Sequence, residues 1–407
     1  MVMFHKKYFK LILNVMLILF SLNIIYVVLL AASYSIPDAS ITQAVNIGQQ
    51  VIDAEGFGPE VFFGGSWACR LDNFTDIIML QTAIKGDQNP LIAAINNNGY
   101  ARYWHGYQVL LRPLCLLGSY LNIRYINMIV FFTILSVVLI LLKEQLGWTI
   151  SFLFLITLLS TYSFIVPMSL QFSGVYYIFL LSIIGILLYY KKNKDIPPRL
   201  YFVFLIIGSI TNFIDLLTFP LLTLGMPLIV ICIIVLQKKL NKTILSVITQ
   251  STFSWGIGYC LTWISKWVIG TIFLKSNVIS DAIENAKFRS FGDTGEAPLN
   301  RLNMLIANIR NFMPSQSLKI GLFIIIIFSV VWMVFMIFAH KKISDIKSAF
   351  PLLIIVILPF AWFLVMANHS QVHHWFTYRI QMISMFALLY FLVYCIDFTK
   401  LNSLCKR

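Results

Sequence analysis

The chain has 407 residues, 59% of them hydrophobic and only 11% charged, with a mean hydropathy of +0.85 and a formal charge of +14. Soluble globular domains carry about 25% charged residues, so that class is excluded. Apolar runs able to cross about 30 Å of hydrocarbon as helices of roughly 20 residues recur along almost the whole length, which predicts an all-α polytopic membrane protein forming one integral domain over 1–407.

Ten spans are predicted in chain order: 10–34, 123–142, 147–166, 172–190, 200–217, 219–236, 246–271, 319–339, 349–367 and 378–396. The first is longer than the apolar region of a cleaved signal, which runs to roughly 7–15 residues. Only a short turn from Asp215 to Pro220 divides the fifth span from the sixth. Basic residues cluster at His5-Lys6-Lys7, Lys143, Lys191-Lys192, Lys238-Lys239, Lys341-Lys342 and Lys406-Arg407, all on the side that holds both termini. By the positive-inside rule that side is cytoplasmic. It carries 17 Lys/Arg against four acids (Glu144, Asp195, Asp345, Asp397), and the other side 13 against 12. The basic balance is therefore a matter of topology and implies no nucleic-acid partner.

Two long segments, 37–122 and 272–318, and a short turn, 368–377, face the outer side, whereas the inner loops are short. Loops of more than about 12–15 residues are usually functional or disordered, and the aromatic and apolar content of these argues for order. Asp72 to Ile84 carries apolar residues at helical spacing, with Asp72 or Asn73 as N-cap, and predicts a helix along the membrane surface. Val109 to Leu117, interrupted by Arg112-Pro113, is too short to span and predicts an interfacial or re-entrant helix. Leu299 to Phe312, after the polar turn Gly292-Asp293-Thr294-Gly295-Glu296, predicts a third amphipathic helix. Of the six cysteines only Cys69, and Cys115 near its end, lie in an outer loop, which makes no disulfide framework. No Cys/His spacing resembles a zinc site, and a metal at the histidine turn is disfavoured because His373 and His374 point apart on most backbones.

Asp72 and Asp76, at i and i+4, would share a helical face beside the membrane. Like charges at that spacing repel by a few tenths of a kcal/mol, so two readings stand: a general base for a hydroxyl acceptor, or a helix cap with a favourable first-turn charge. Arg102, His105 and Arg112 are interleaved with Tyr100, Tyr103, Trp104 and Tyr107. Such a stretch either anchors a helix at headgroup level or holds a lipid-linked phosphate through Arg forks and a sugar through aromatic faces. The turn Asn368 to Arg379 contains His369, His373 and His374 and either binds sugar or phosphate, with Arg379 as the cation, or caps two helices. Asp215 either lines a cavity or pairs inside the bundle, with Lys266 as its candidate partner.

The stretches Leu71-Asp72-Asn73-Phe74-Thr75-Asp76, Tyr103-Trp104-His105-Gly106-Tyr107, Asp215-Leu216-Leu217-Thr218-Phe219-Pro220 and His373-His374-Trp375-Phe376-Thr377-Tyr378-Arg379, set in this organisation, resemble the GT-C membrane glycosyltransferases. The nearest likeness is to the bacterial multi-spanning enzymes that decorate surface polysaccharides, including those that alter O-antigen serotype. This resemblance implies inverting transfer of a sugar, such as glucose, from a polyprenyl-phosphate donor to an extracytoplasmic glycan. It also implies an inner-membrane location in a bacterium, with a donor synthase and flippase as partners and no metal cofactor. An acidic residue of the first outer loop would be the base. In many such enzymes that residue follows the first span directly, where Asp38 stands, but Asp76 and Asp72 are backed by an amphipathic helix and lead. Arg102, His105, Arg112, Tyr103, Trp104, His373, His374, Arg379 and Asp215 would bind the donor phosphate or sugar. The competing readings are a transporter or lipid-linked glycan flippase, disfavoured because no internal repeat is found, and an O-antigen polymerase or ligase using a pyrophosphate donor.

Overall fold

A computed structural model describes residues 2–61, 67–292, 298–313 and 318–400. Among them the fold is helical throughout, with only two isolated β-bridges, Glu60 to Arg70 and His340 to Ile396. The membrane-embedded body begins with α1 (Val2–Tyr34). A lobe of shorter helices follows: α2 (Thr42–Glu55), α3 (Asn73–Gln81), α4 (Pro90–Asn96) and α5 (Gln108–Leu114). The chain then re-enters the bundle as α6 (Tyr120–Leu146), α7 (Trp148–Ser160), α8 (Leu170–Asn193), α9 (Leu200–Ile214), α10 (Leu222–Gln237) and α11 (Ile244–Leu274). A second excursion contains α12 (Val278–Phe291) and α13 (Arg301–Phe312). The chain closes with α14 (Leu318–Ala339), α15 (Ile343–Ala349), α16 (Leu352–Val365), the short α17 (Ala367–Val372) and α18 (His374–Thr377), and α19 (Met382–Cys395).

Among the described residues, seven helical stretches are long and apolar enough to cross a membrane: Phe9–Tyr34, Tyr120–Leu146, Leu170–Asn193, Ile244–Leu274, Lys319–Ala339, Ile343–Val365 and His374–Cys395. Three of the ten expected spans are instead shorter apolar helices of 13, 15 and 16 residues, α7, α9 and α10. Local chemistry shortens them. Beyond α7 the chain tightens into a 3₁₀ turn, Ser163–Met168, that contains Pro167. Helix α9 stops at Asp215, whose carboxylate accepts the Thr218 N–H and hydroxyl and so stabilises the turn into α10. Helix α10 is the axis of the bundle: Leu222 through Leu236 are all buried, packed against α8, α9, α11 and α19. Helix α14, by contrast, leaves most of its surface on the outside of the bundle.

The helix expected over Asp72 to Ile84 is α3. It ends sooner, at Gln81, and is packed against α2 and the start of α8, with Asn73, Asp76, Ile77, Met79 and Leu80 buried. The interfacial helices expected over Val109 to Leu117 and Leu299 to Phe312 are α5 and α13. Of the polar turn from Gly292 to Glu296, everything after Gly292 lies outside the described residues, as do Lys406 and Arg407. Cys69, Cys115, Cys232, Cys260 and Cys395 are free thiols.

Candidate functional site

The loop-bearing end of the bundle is organised around two buried carboxylates with different surroundings. Asp76, in the first turn of α3, is fully buried and accepts four hydrogen bonds: from the Ser169 hydroxyl (3.0 Å), the Leu170 N–H (2.9 Å), the Gln171 N–H (3.0 Å) and the Tyr120 hydroxyl (2.7 Å). Leu170 and Gln171 open α8, whose own N-cap, Ser169, makes no capping bond, so Asp76 supplies the missing cap from another helix. Burial pushes its pKa up, and the donors from Gln171, Tyr120 and Leu170 resist that rise. Beside it, Arg124 of α6 binds both carboxylate oxygens of Glu55 (2.7 and 2.9 Å) and the Asn73 side-chain carbonyl (2.9 Å). Helices α2, α3, α6 and α8 are therefore tied together at one point, and both oxygens of Asp76 are already committed to that tie.

Asp72 has the opposite character. As N-cap of α3 it accepts from the Thr75 N–H (3.1 Å) and the Thr75 hydroxyl (2.8 Å), so its side chain folds back at the helix start. The expected shared face with Asp76 is thereby replaced by two separate environments. Asp72 lines a cavity of about 420 Å³ whose wall also holds Arg70, Arg289, Gln171, His369 and His373. Phe57, Phe74, Tyr100, Trp375 and Phe376 supply its aromatic surface. Burial raises the Asp72 pKa to about 7, the bonds from Thr75 opposing the rise and the charge of Asp76 adding to it. This carboxyl therefore exchanges its proton near neutrality, where a general acid or base works best.

The cations of this cavity come from places the sequence did not single out. Arg70 follows the 3₁₀ turn Trp67–Cys69, is held by Glu60 (2.9 Å), and lays its guanidinium over the Trp67 ring at 3.7 Å. Arg289 ends α12 and donates to His373 Nε2 (3.0 Å). His373 stacks on Phe376 with centroids 5.0 Å apart. Burial drives its pKa down to about 3, and the charge of Arg289 adds to the fall. His369, 4% exposed, is lowered for the same first reason. Both histidines are thus neutral hydrogen-bonding groups at pH 7, and the arginines alone bring positive charge. Among the described residues, the Gln171 side-chain carbonyl is buried without a hydrogen-bond partner. Such an unsatisfied group favours a polar ligand.

Of the expected site residues, Asp72 and His373 line this cavity and the others are placed elsewhere. Asp38 is a structural clasp: Oδ1 pairs with Arg112 (3.2 Å) and Oδ2 accepts the Lys85 and Gly86 N–H groups (3.0 and 2.9 Å). Arg112 is fully buried, gives its Nε proton to the Ser33 carbonyl (3.0 Å) and lies over the Tyr34 ring, so it joins α5 to the end of α1 and is not placed for a phosphate. Arg102 pairs with Asp281 (3.3 Å) and stacks on Tyr100. Tyr103 packs on Trp263, and Trp104 donates to the Thr262 carbonyl (2.8 Å). His105 is buried between the Tyr107 hydroxyl (2.7 Å) and the Tyr100 carbonyl (3.0 Å), its pKa brought down to about 3 by burial with help from Lys266. Asp215 does not meet Lys266, whose ammonium donates to the Ile95 carbonyl (2.6 Å). Arg379 is fully buried against Phe172 and Tyr378, with one bond to the Ala68 carbonyl (3.0 Å). His374 stacks on Trp67 outside the cavity wall. Compared with protein-family models, with curated proteins and with solved structures, the chain has no match.

Proposed function

We propose that the protein is an inverting membrane glycosyltransferase. It moves a sugar, with glucose the first candidate, from a polyprenyl-phosphate donor to an extracytoplasmic glycan such as O-antigen. The observation that carries this reading is the pairing, in one cavity, of a carboxyl titrating near pH 7 with two arginines, neutral histidines and aromatic walls. The Asp72 carboxylate takes the proton of the acceptor hydroxyl as that oxygen bonds to the anomeric carbon. The bond from that carbon to the phosphate oxygen breaks, and its electron pair leaves with polyprenyl phosphate. Arg70 and Arg289 offset the charge gathering on the departing phosphate, and the histidines hydrogen-bond sugar or phosphate oxygens. A monophosphate can be neutralised by two guanidinium groups, so the scheme calls for no metal. The protein sits in the bacterial inner membrane with both termini cytoplasmic, the cavity opening outward, and a synthase and flippase delivering the donor.

The test is sugar transfer from polyprenyl-phosphate glucose, and then from other polyprenyl-phosphate hexoses, by membranes containing the protein. Asp72→Asn is expected to lower transfer by about 10²-fold or more with thermal stability preserved, whereas Asp38→Asn retains turnover. Asp76→Asn is expected to lose activity together with stability, because an amide nitrogen would then face donors. Full transfer by Asp72→Asn removes Asp72 as base, and no transfer by the unaltered protein with any donor ends the transferase reading.

A further inference from the structure

A second depression adjoins the cavity just described, and the two share one wall. Its volume is about 390 Å³, and Trp67, Asn303, Arg310, Asn311 and His374 line it. Sequence neighbours divide between the two spaces: His373 faces the first and His374 the second, Arg70 the first and Trp67 the second. The partition is a stack in which the Arg70 guanidinium lies 3.7 Å from the centre of the Trp67 ring, and the His374 ring lies 5.7 Å from it at 30°. Despite these neighbours Trp67 remains 47% exposed. The Asn311 amide donates to His374 Nδ1 (2.8 Å) and to the His374 carbonyl (3.0 Å), which fixes the ring and leaves Nε2–H of the neutral tautomer as a donor.

A fixed, half-exposed indole flanked by amides, an imidazole donor and a guanidinium suits one class of ligand. The apolar C–H face of a sugar ring lies on the indole, and its hydroxyls meet the planar donors and acceptors around it. We propose that this depression is the acceptor subsite, which holds an inner unit of an oligosaccharide on Trp67 while the next unit reaches over the partition to present its hydroxyl to Asp72. This rests on the transferase reading for its role, but saccharide binding can be measured without turnover. The acceptor is then a chain of at least two sugars, and a monosaccharide engages only half of the site.

The experiment uses purified full-length protein in nanodiscs and a panel of methyl glycosides of hexoses with their di- and trisaccharide homologues. Saturation-transfer NMR reads binding, and the transfer assay reads KM for the same compounds. Unaltered protein is expected to prefer di- and trisaccharides over monosaccharides. Trp67→Ala should raise the disaccharide KM about tenfold, equivalent to about 1.4 kcal/mol, with monosaccharide KM unchanged, and should weaken the di- and trisaccharide NMR signal to match. Trp67→Tyr should restore most of both. Ala307→Trp, which fills the depression from the facing helix, should act like Trp67→Ala without touching the stack. Unchanged binding and KM in Trp67→Ala and Ala307→Trp overturn the subsite and leave the transferase standing. Trp67-dependent saccharide binding without transfer keeps the subsite and ends the transferase reading. Absence of any saccharide binding overturns the subsite whatever the transfer assay shows.

Discussion

At the scale of single residues, Asp72 carries opposed demands. The helix dipole favours the charged form at this N-terminus, but burial raises this carboxyl to about 7, so the proton is held at mildly acidic pH. Since the folded pKa lies above the ordinary 3.8, the folded state binds the extra proton between about pH 4 and pH 7. Stability from this group is therefore full below that window and falls as pH rises through it. Activity runs the other way, because a base must be ionised: kcat/KM should climb towards a plateau above about pH 7. His373→Gln should keep that rising limb, since His373 is already neutral. A limb that vanishes with His373→Gln, or one centred near pH 4, would remove Asp72 from the role. The sequence brought out the Asp72 and Asp76 pair but could not separate its members. What separates them is tertiary: the donors that occupy Asp76 come from Ser169 to Gln171, more than ninety positions away. Arg70, between Trp67 and Asp72, and Arg289, in Lys287-Phe288-Arg289-Ser290-Phe291, are more than two hundred positions apart in sequence, and only the fold brings them to one cavity.

At the scale of elements, hydropathy located seven of the ten expected spans as helices long and apolar enough to cross a membrane and the other three as shorter apolar helices, and α3, α5 and α13 overlap the stretches where apolar spacing placed them. Helices α2 and α12 were not anticipated. Both mix apolar with polar residues and take their burial from neighbours, Ala44, Val45, Gly48 and Ile52 in one, Val278 and Ala282 in the other. Close helix contacts were equally hidden, and the pairing of α9 with α11 shows why. A Cβ on Gly208 would lie 2.2 Å from the Trp255 carbonyl oxygen, and one on Gly258 would lie 2.1 Å from that of Leu205. Each helix thus presses a glycine against the other's backbone, the close approach that small residues allow within membranes. Gly256 on the same helix meets open space. Gly208→Ala and Gly258→Ala are each expected to cost about 1–3 kcal/mol, because backbone cannot yield as a side chain can. Gly256→Ala should be neutral or stabilising by up to about 1 kcal/mol. Thermal unfolding in detergent monitored by circular dichroism ranks the three, and equal shifts would show that the α9 and α11 backbones are not in contact.

At the scale of the whole molecule, apolar character alone did not distinguish a helix facing lipid from one at the bundle axis. Helices α10 and α14 are both strongly hydrophobic, yet one is buried along its length and the other lies on the outside. Charge carries the information that hydropathy lacks. The turns near Lys191 and Glu144, which pair at 3.3 Å, and near Lys341 gather at one end of the bundle, and the cavity with Asp72 gathers at the other. The sequence assigns 17 basic and four acidic residues to the loops of one side, and the positive-inside rule makes that side, with the first end, the one expected inside. In a background with Cys260 and Cys405 replaced by serine, Asn98→Cys, on the exposed lobe surface, should react in intact cells with a thiol reagent that cannot cross the membrane. Lys192→Cys, exposed at the other end, should react only after the membrane is opened. The reverse pattern would turn the cavity towards the cytoplasm, where a flipped donor and an extracytoplasmic acceptor could not reach it.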